Sequence, residues 1–352
     1  MLPSNPVKEN LVRLAVAALL LPIYAARTGR LARALPTSSS STDDCTGWIE
    51  SLKAKDASMR NYSQRTQDGI LRKIFQRIGI ANAHCVEFGF GYVGSQTTGE
   101  ALFEAAYSRQ HGRVMLNTLL LRKQGWNATY FDALVDDAAA NIRRVVLTQH
   151  NIASAFAAAA VPIDVDYVSI DVDSIDVWLL LGLLQGGYRP RVISVEFNAN
   201  FGIDQYLALS PHWHKWSGSA AMGSGAAALN LVASQHGYRM VHLMVELLDV
   251  FFVREDLLQA CDAATLPAFS DIARGIIPRR IHHTCLATEA RRFVDVRTML
   301  QAAKDVESKR NVTAEAHANA ISELQRANAF FRANPKARTR GSIRQTPDVC
   351  EV

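Results

Sequence analysis

The chain has 352 residues, 49% apolar and 20% charged, a composition that excludes a disordered chain, a collagen-like repeat and a multi-span membrane protein. Its 38 basic and 33 acidic side chains give a dispersed net charge of +5, so no nucleic-acid partner is expected. Cys45, Cys85, Cys261, Cys285 and Cys350 are widely spaced with no CxxC pair, and neither a disulfide framework nor a cysteine-built zinc site is expected.

Residues 15–26 (AVAALLLPIYAA) form an uninterrupted apolar run, short for a spanning helix but matched to the core of a signal peptide or a single-pass signal-anchor. Arg27, Arg30 and Arg33 follow, then a Ser/Thr stretch at 37–42, and no acid occurs from 10 to 42. Three readings stay open. Secretory entry to the ER or Golgi lumen, with membrane attachment through this segment, carries most weight. A mitochondrial or plastid transit peptide is the second reading, and a buried helix the third. Residues 1–43 are therefore set apart as a targeting or anchor segment with its linker. Asn61, Asn127 and Asn311 stand in Asn-x-Ser/Thr sites.

From residue 63 the pattern becomes regular. The period of 68–80 predicts a helix with Ile70, Ile74 and Ile78 on one face. Residues 84–91 (HCVEFGFG) read as a strand entering a glycine loop, and 95–113 as an insertion with a helical piece at 100–107. A helix over 116–126, a strand over 128–134, a helix over 136–144, a strand over 145–151 and a helix over 152–160 follow. The alternation continues with a strand at 166–173, a helix at 177–187, a strand at 191–198 and a helix at 223–237. Residues 238–246 and 249–256 are strands separated by Leu247 and Leu248, which permits an antiparallel pair and forbids a crossover helix.

Five strand–helix units and a hairpin predict an α/β fold. The expected core is a doubly wound, Rossmann-like sheet of seven strands, mostly parallel, with 249–255 inserted antiparallel between its neighbours. This domain is placed at 44–258. Residues 259–352 show no strand signal and are expected to be a helical extension, with an amphipathic helix at 314–334 and a basic tail.

In such a sheet ligands bind beyond the carboxyl ends of the strands. Those ends supply Glu87, Gly89 and Gly91 from the first strand, Asp132 from the second, and Gln149 and Asn151 from the third. The fourth supplies Asp171 and Asp173, and the fifth Glu196 and Asn198. Glycines after the first strand let a nucleoside-type cofactor approach the backbone, and an acid ending the second accepts ribose hydroxyls.

The blocks SQRTQDGI (63–70), HCVEFGFG, GWNATYFDAL, VDYVSIDVDSIDVW, RPRVISVEFN and DVFFVRED resemble, in order over 63–258, those of FkbM-like methyltransferases, in particular an uncharacterised branch. The segment Ser169–Trp178, Ser-Ile-Asp-x-Asp-x-x-Asp-x-Trp, is the most specific. The resemblance implies a class I fold that binds S-adenosylmethionine and methylates a hydroxyl of a carbohydrate or other small acceptor. It implies cofactor contacts from Glu87, Gly89, Gly91, Asp132 and Asp171, to which the rim position of Asn151 adds a sixth. Asp173, then Glu196, are the candidates to take the acceptor's proton.

Two other functions are weighed. Asp171-Val172-Asp173 after an apolar strand is also the DxD of metal-dependent glycosyltransferases, where hard oxygens hold manganese or magnesium on a nucleotide sugar. A non-catalytic, methyltransferase-like binding protein is the third. No metal site is assigned: His212 and His214 lack a third ligand nearby, His282-His283 is uninformative, and Cys85 reads as a small core residue.

Overall fold

The structure is a computed structural model that describes residues 45–53, 61–88, 116–212, 221–244, 248–259, 261, 266–277, 292–304 and 315–322. The N-terminal segment, Gly89, Gly91, the 95–113 insertion, His214, His282-His283 and the basic tail lie outside the described residues. Among the described residues no helix is long and apolar enough to cross a membrane.

Among the described residues two helices come first, α1 (Cys45–Leu52) and α2 (Gln67–Ile78). In α2 the period of 3.6 places Ile70, Leu71, Ile74 and Phe75 in the interior, and Gly79, at φ 71°, ends the helix. The segment before it is tied down by Asp68, whose Oδ2 accepts the N–H groups of Asn61, Tyr62 and Ser63 at 2.8, 2.8 and 3.1 Å. Then come β1 (His84–Phe88), α3 (Leu119–Lys123), β2 (Asn127–Asp132), β3 (Ile142–Arg144) and α4 (Ile152–Ala158). They are followed by β4 (Tyr167–Ile170), α5 (Asp176–Gln185), β5 (Val192–Glu196), β6 (Leu207–Leu209), α6 (Ala226–Gln235), β7 (Tyr238–Leu243) and β8 (Asp249–Arg254). The last named elements are α7 (Phe269–Ala273), β9 (Phe293–Asp295) and α8 (Val296–Lys304).

Seven strands form one mixed sheet in the order β3-β2-β1-β4-β5-β8-β7. The first five are mutually parallel; β8 lies between β5 and β7 and is antiparallel to both, giving two antiparallel pairs. This is an α/β, Rossmann-like arrangement that resembles a methyltransferase sheet. The strands are apolar on both faces because helices cover both. Val86, Phe88, Ile170, Val195 and Phe252 face α4, α5 and α6, around Phe156 and Trp178. Cys85, Tyr130, Tyr167, Phe251 and Val253 face α1, α2 and α3.

Four local expectations give way. Residues 136–144 are not a helix, and the third strand is 142–144 rather than 145–151. Asp137 turns its carboxylate onto the N–H groups of Ala139 and Ala140, both at 3.0 Å, and Asn141 adopts φ 57°. That side-chain turn competes with helix formation and starts the strand three residues early. The C-terminal extension is not wholly helical: β9 pairs antiparallel with β6 in a second, two-stranded sheet. Two strands of three residues are too short to show an alternating pattern. Of the helix expected at 314–334, residues 315–322 are described and helical. Finally, Cys45 and Cys261 form a disulfide with Cα atoms 5.6 Å apart across 216 residues, where no disulfide was expected from spacing. Spacing carries no information on a pair that only the tertiary fold brings together.

Candidate functional site

The carboxyl ends of β1, β4 and β5, and the start of β8, carry an unusually dense set of acids. Register explains the row beneath them. Tyr130, Glu87, Ser169, Ser194 and Phe251 stand side by side across β2, β1, β4, β5 and β8, so all five point to the α1–α3 face. Glu196 stands opposite Asp249 two residues further on.

Glu87 is buried and spends both oxygens on protein donors. Oε1 accepts the Asn117 N–H at 2.8 Å; Oε2 accepts the Thr118 N–H at 3.0 Å and the Thr118 hydroxyl at 2.5 Å. Burial pushes its carboxyl up to about 7, and these hydrogen bonds pull the other way. Asn117 extends the network: Nδ2 donates to Ser169 Oγ at 3.1 Å and to Asp249 Oδ2 at 3.3 Å. Gln67 Nε2 reaches the same Asp249 oxygen at 2.9 Å. Burial raises Asp249 to about 6.

The Ser169–Trp178 block shows its logic in the fold. Asp176 opens α5 and turns back on the preceding loop, accepting the N–H of Val172 on Oδ1 at 2.8 Å and that of Ser174 on Oδ2 at 3.0 Å. Trp178 is buried and donates Nε1–H to the Leu209 carbonyl at 2.7 Å, pinning α5 to β6. Between these anchors Asp173 adopts φ 56°, a left-handed conformation uncommon outside glycine. Asp171, Asp173 and Glu196 then converge, each offering a carboxylate oxygen within 4.8 Å of the other two. Burial, reinforced by mutual repulsion, holds Asp171 and Glu196 well above the ordinary carboxylate range and raises Asp173 by burial.

Asp132 ends β2, buried, on the same face as Tyr130. Its Oδ1 accepts the N–H groups of Leu134 and Val135 at 2.7 and 3.0 Å, while among the described residues no donor reaches Oδ2. Asn151 is closed on its own turn, accepting the Thr148 N–H at 2.7 Å and donating to the Val146 carbonyl at 2.9 Å. Asn198 is likewise turned to backbone, at Met222 and Asn200. His212 is exposed. The fold thus gathers Asp171, Asp173 and Glu196, commits Glu87 to a buried network beside them, and leaves Asn151 to its turn.

Sequence reasoning gave no site role to Gln67, Asn117, Thr118, Asp176 or Asp249, although Asp176 stands in the Ser169–Trp178 motif. The signal for Asp249 was available, because hairpin pairing fixes it beside the fifth strand. Asn117-Thr118, a polar pair opening an apolar helix, was a weaker one. A separate cavity of about 450 Å³ lies at the opposite, amino end of β2, lined by Leu119, Arg122, Trp126 and Asn141, away from the acids. Comparisons of the chain with protein-family models, with curated proteins and with solved structures give no match.

Proposed function

We propose that the chain is an S-adenosylmethionine-dependent O-methyltransferase acting on a carbohydrate or other small hydroxylated acceptor. The observation that carries this reading is the sheet order, with β8 antiparallel between β5 and β7, and acids collected where its parallel strands end. The half-engaged carboxylate of Asp132 fits a ribose diol, since one oxygen is held by backbone and the other has no donor among the described residues. Gly89 and Gly91 supply, from the sequence, a backbone that a nucleoside can approach. When bound, the cofactor supplies an electrophilic methyl on a sulfonium. The protein's part is to align an acceptor oxygen with it and to remove the proton, with Asp173 first and Glu196 second.

Secretory localisation, with membrane attachment through the N-terminal segment, belongs to the same proposal. It is supported by the apolar run at 15–26 and by the Cys45–Cys261 bond, since disulfides persist in oxidising compartments. The Asp171–Asp173–Glu196 cluster favours a second reading, the metal-dependent glycosyltransferase.

Calorimetric titration of the full chain with S-adenosylmethionine tests the first reading. Binding is expected, and Asp132→Asn should weaken it about tenfold or more, because a hydrogen bond to a charged group is worth about 1.5–3 kcal/mol. Absence of binding at millimolar cofactor defeats it. Turnover of a nucleotide sugar with manganese then supports the second reading, and silence in both assays supports the non-catalytic protein.

A further inference from the structure

We propose that Asp171, Asp173 and Glu196 form a binding site for one hard divalent cation of the magnesium or manganese class. Three carboxylate oxygens lie within 4.8 Å of one another. Ligand oxygens around an octahedral cation at about 2.1 Å stand roughly 3–4 Å apart, so a small closure of these side chains completes one face of the shell.

A second observation is independent of that clustering. Glu196 is only 9% exposed, and its Oε2 is buried with no hydrogen-bond partner. A buried carboxylate oxygen without a donor is costly, and native proteins satisfy such atoms with protein, water or an ion. Among the described residues no lysine, arginine or histidine forms an ion pair with any of the three acids. A cation is a natural partner for that oxygen, and it would draw the three acids together where a shared proton links only two of them at a time.

The chemistry of the donors selects it. All three are hard oxygen ligands, and no histidine or cysteine joins them, which suits magnesium, manganese or calcium over zinc or copper. The loop that presents two of them is held by the Asp176 carboxylate at the N–H groups on either side of Asp173, and the helix carrying Asp176 is pinned by Trp178, so the site is largely formed before a cation arrives. Three carboxylates leave positions of an octahedral shell unfilled, where a hydroxyl of an acceptor would bind and lose its proton more readily. That last role rests on the methyl-transfer reading; cation binding does not.

The test uses the full chain and the metal alone. Free manganese is followed by electron paramagnetic resonance as protein is added, with magnesium as competitor and thermal unfolding as a second readout. Wild type is expected to take up manganese with sub-millimolar affinity, release it to excess magnesium, and unfold at higher temperature when it is bound. Asp173→Asn and Glu196→Gln should each weaken this at least tenfold. Asparagine accepts a left-handed backbone as readily as aspartate, so Asp173→Asn retains the loop. Asp136→Asn, an exposed acid outside the cluster, should bind as wild type. No uptake at about 5 mM manganese, or unchanged uptake in both cluster variants, overturns the proposal. Because no cofactor is present, failure of S-adenosylmethionine binding leaves the result intact.

Discussion

Asp176 and Glu87 show how a single acid is made to serve the rim without facing solvent. Each is buried, each accepts backbone N–H groups from a loop, and each has its carboxyl pushed up to about 7 by burial. Their folded values lie above the unfolded ones, so the stability they contribute is full below about 4–4.5 and is lost as pH rises through about 7. Buried His242, pushed down to about 4, has the opposite sign, losing stability as pH falls below its ordinary value of 6.5. These effects offset between about 4.5 and 6.5, and the acids stand alone above it. The thermal midpoint, measured with a chelator present, should therefore fall from about pH 6.5 to 8, and Glu87→Gln should flatten that slope. An equally steep slope in Glu87→Gln would remove Glu87 as its source. At this scale the sequence was partly legible. Position at a strand end is a matter of pattern, so Asp171, Asp173 and Glu196 were readable as rim residues. Whether a polar rim side chain turns to a ligand or to its own protein depends on loop geometry, so the hydrogen bonds that Asn151 and Glu87 make were not legible.

At the scale of elements, the buried strands and the long apolar helices were legible because burial forces a period on them. The 136–151 region was not, since Asp137 sets it through a side-chain turn and Asn141 through a left-handed backbone, neither of which a hydrophobic period records. The strands β6 and β9, three residues each, hold too little pattern to detect. Helix α5 carries a glycine whose reason is likewise invisible in one dimension. A Cβ on Gly182 would lie 2.2 Å from the Gln149 carbonyl oxygen, so the absent side chain is what lets α5 lie against the turn before α4. Gly182→Ala gains helix propensity of about 1 kcal/mol but must shift backbone to fit. The expected outcome is a net loss of roughly 1–3 kcal/mol in urea unfolding, whereas Gly187→Ala, open around its Cβ but at φ 87°, is strained through its backbone instead.

On the scale of the whole molecule, the Cys45–Cys261 bond joins α1, under one face of the sheet, to the chain just after β8. In the chain-entropy account a closure this long contributes about 5 kcal/mol, so Cys45→Ser should lower the unfolding midpoint strongly in urea. An unchanged midpoint would show that native contacts alone hold these ends. The bond has a further, mechanical consequence. Every strand of the seven-stranded sheet, from His84 to Arg254, lies inside the covalent ring it closes. A chain pulled by its two ends transmits the load through the sulfurs and not through the sheet. In a force-extension experiment the oxidised protein should yield only the length outside the ring, while addition of reductant should release roughly 700 Å more, at about 3.3–3.6 Å per residue.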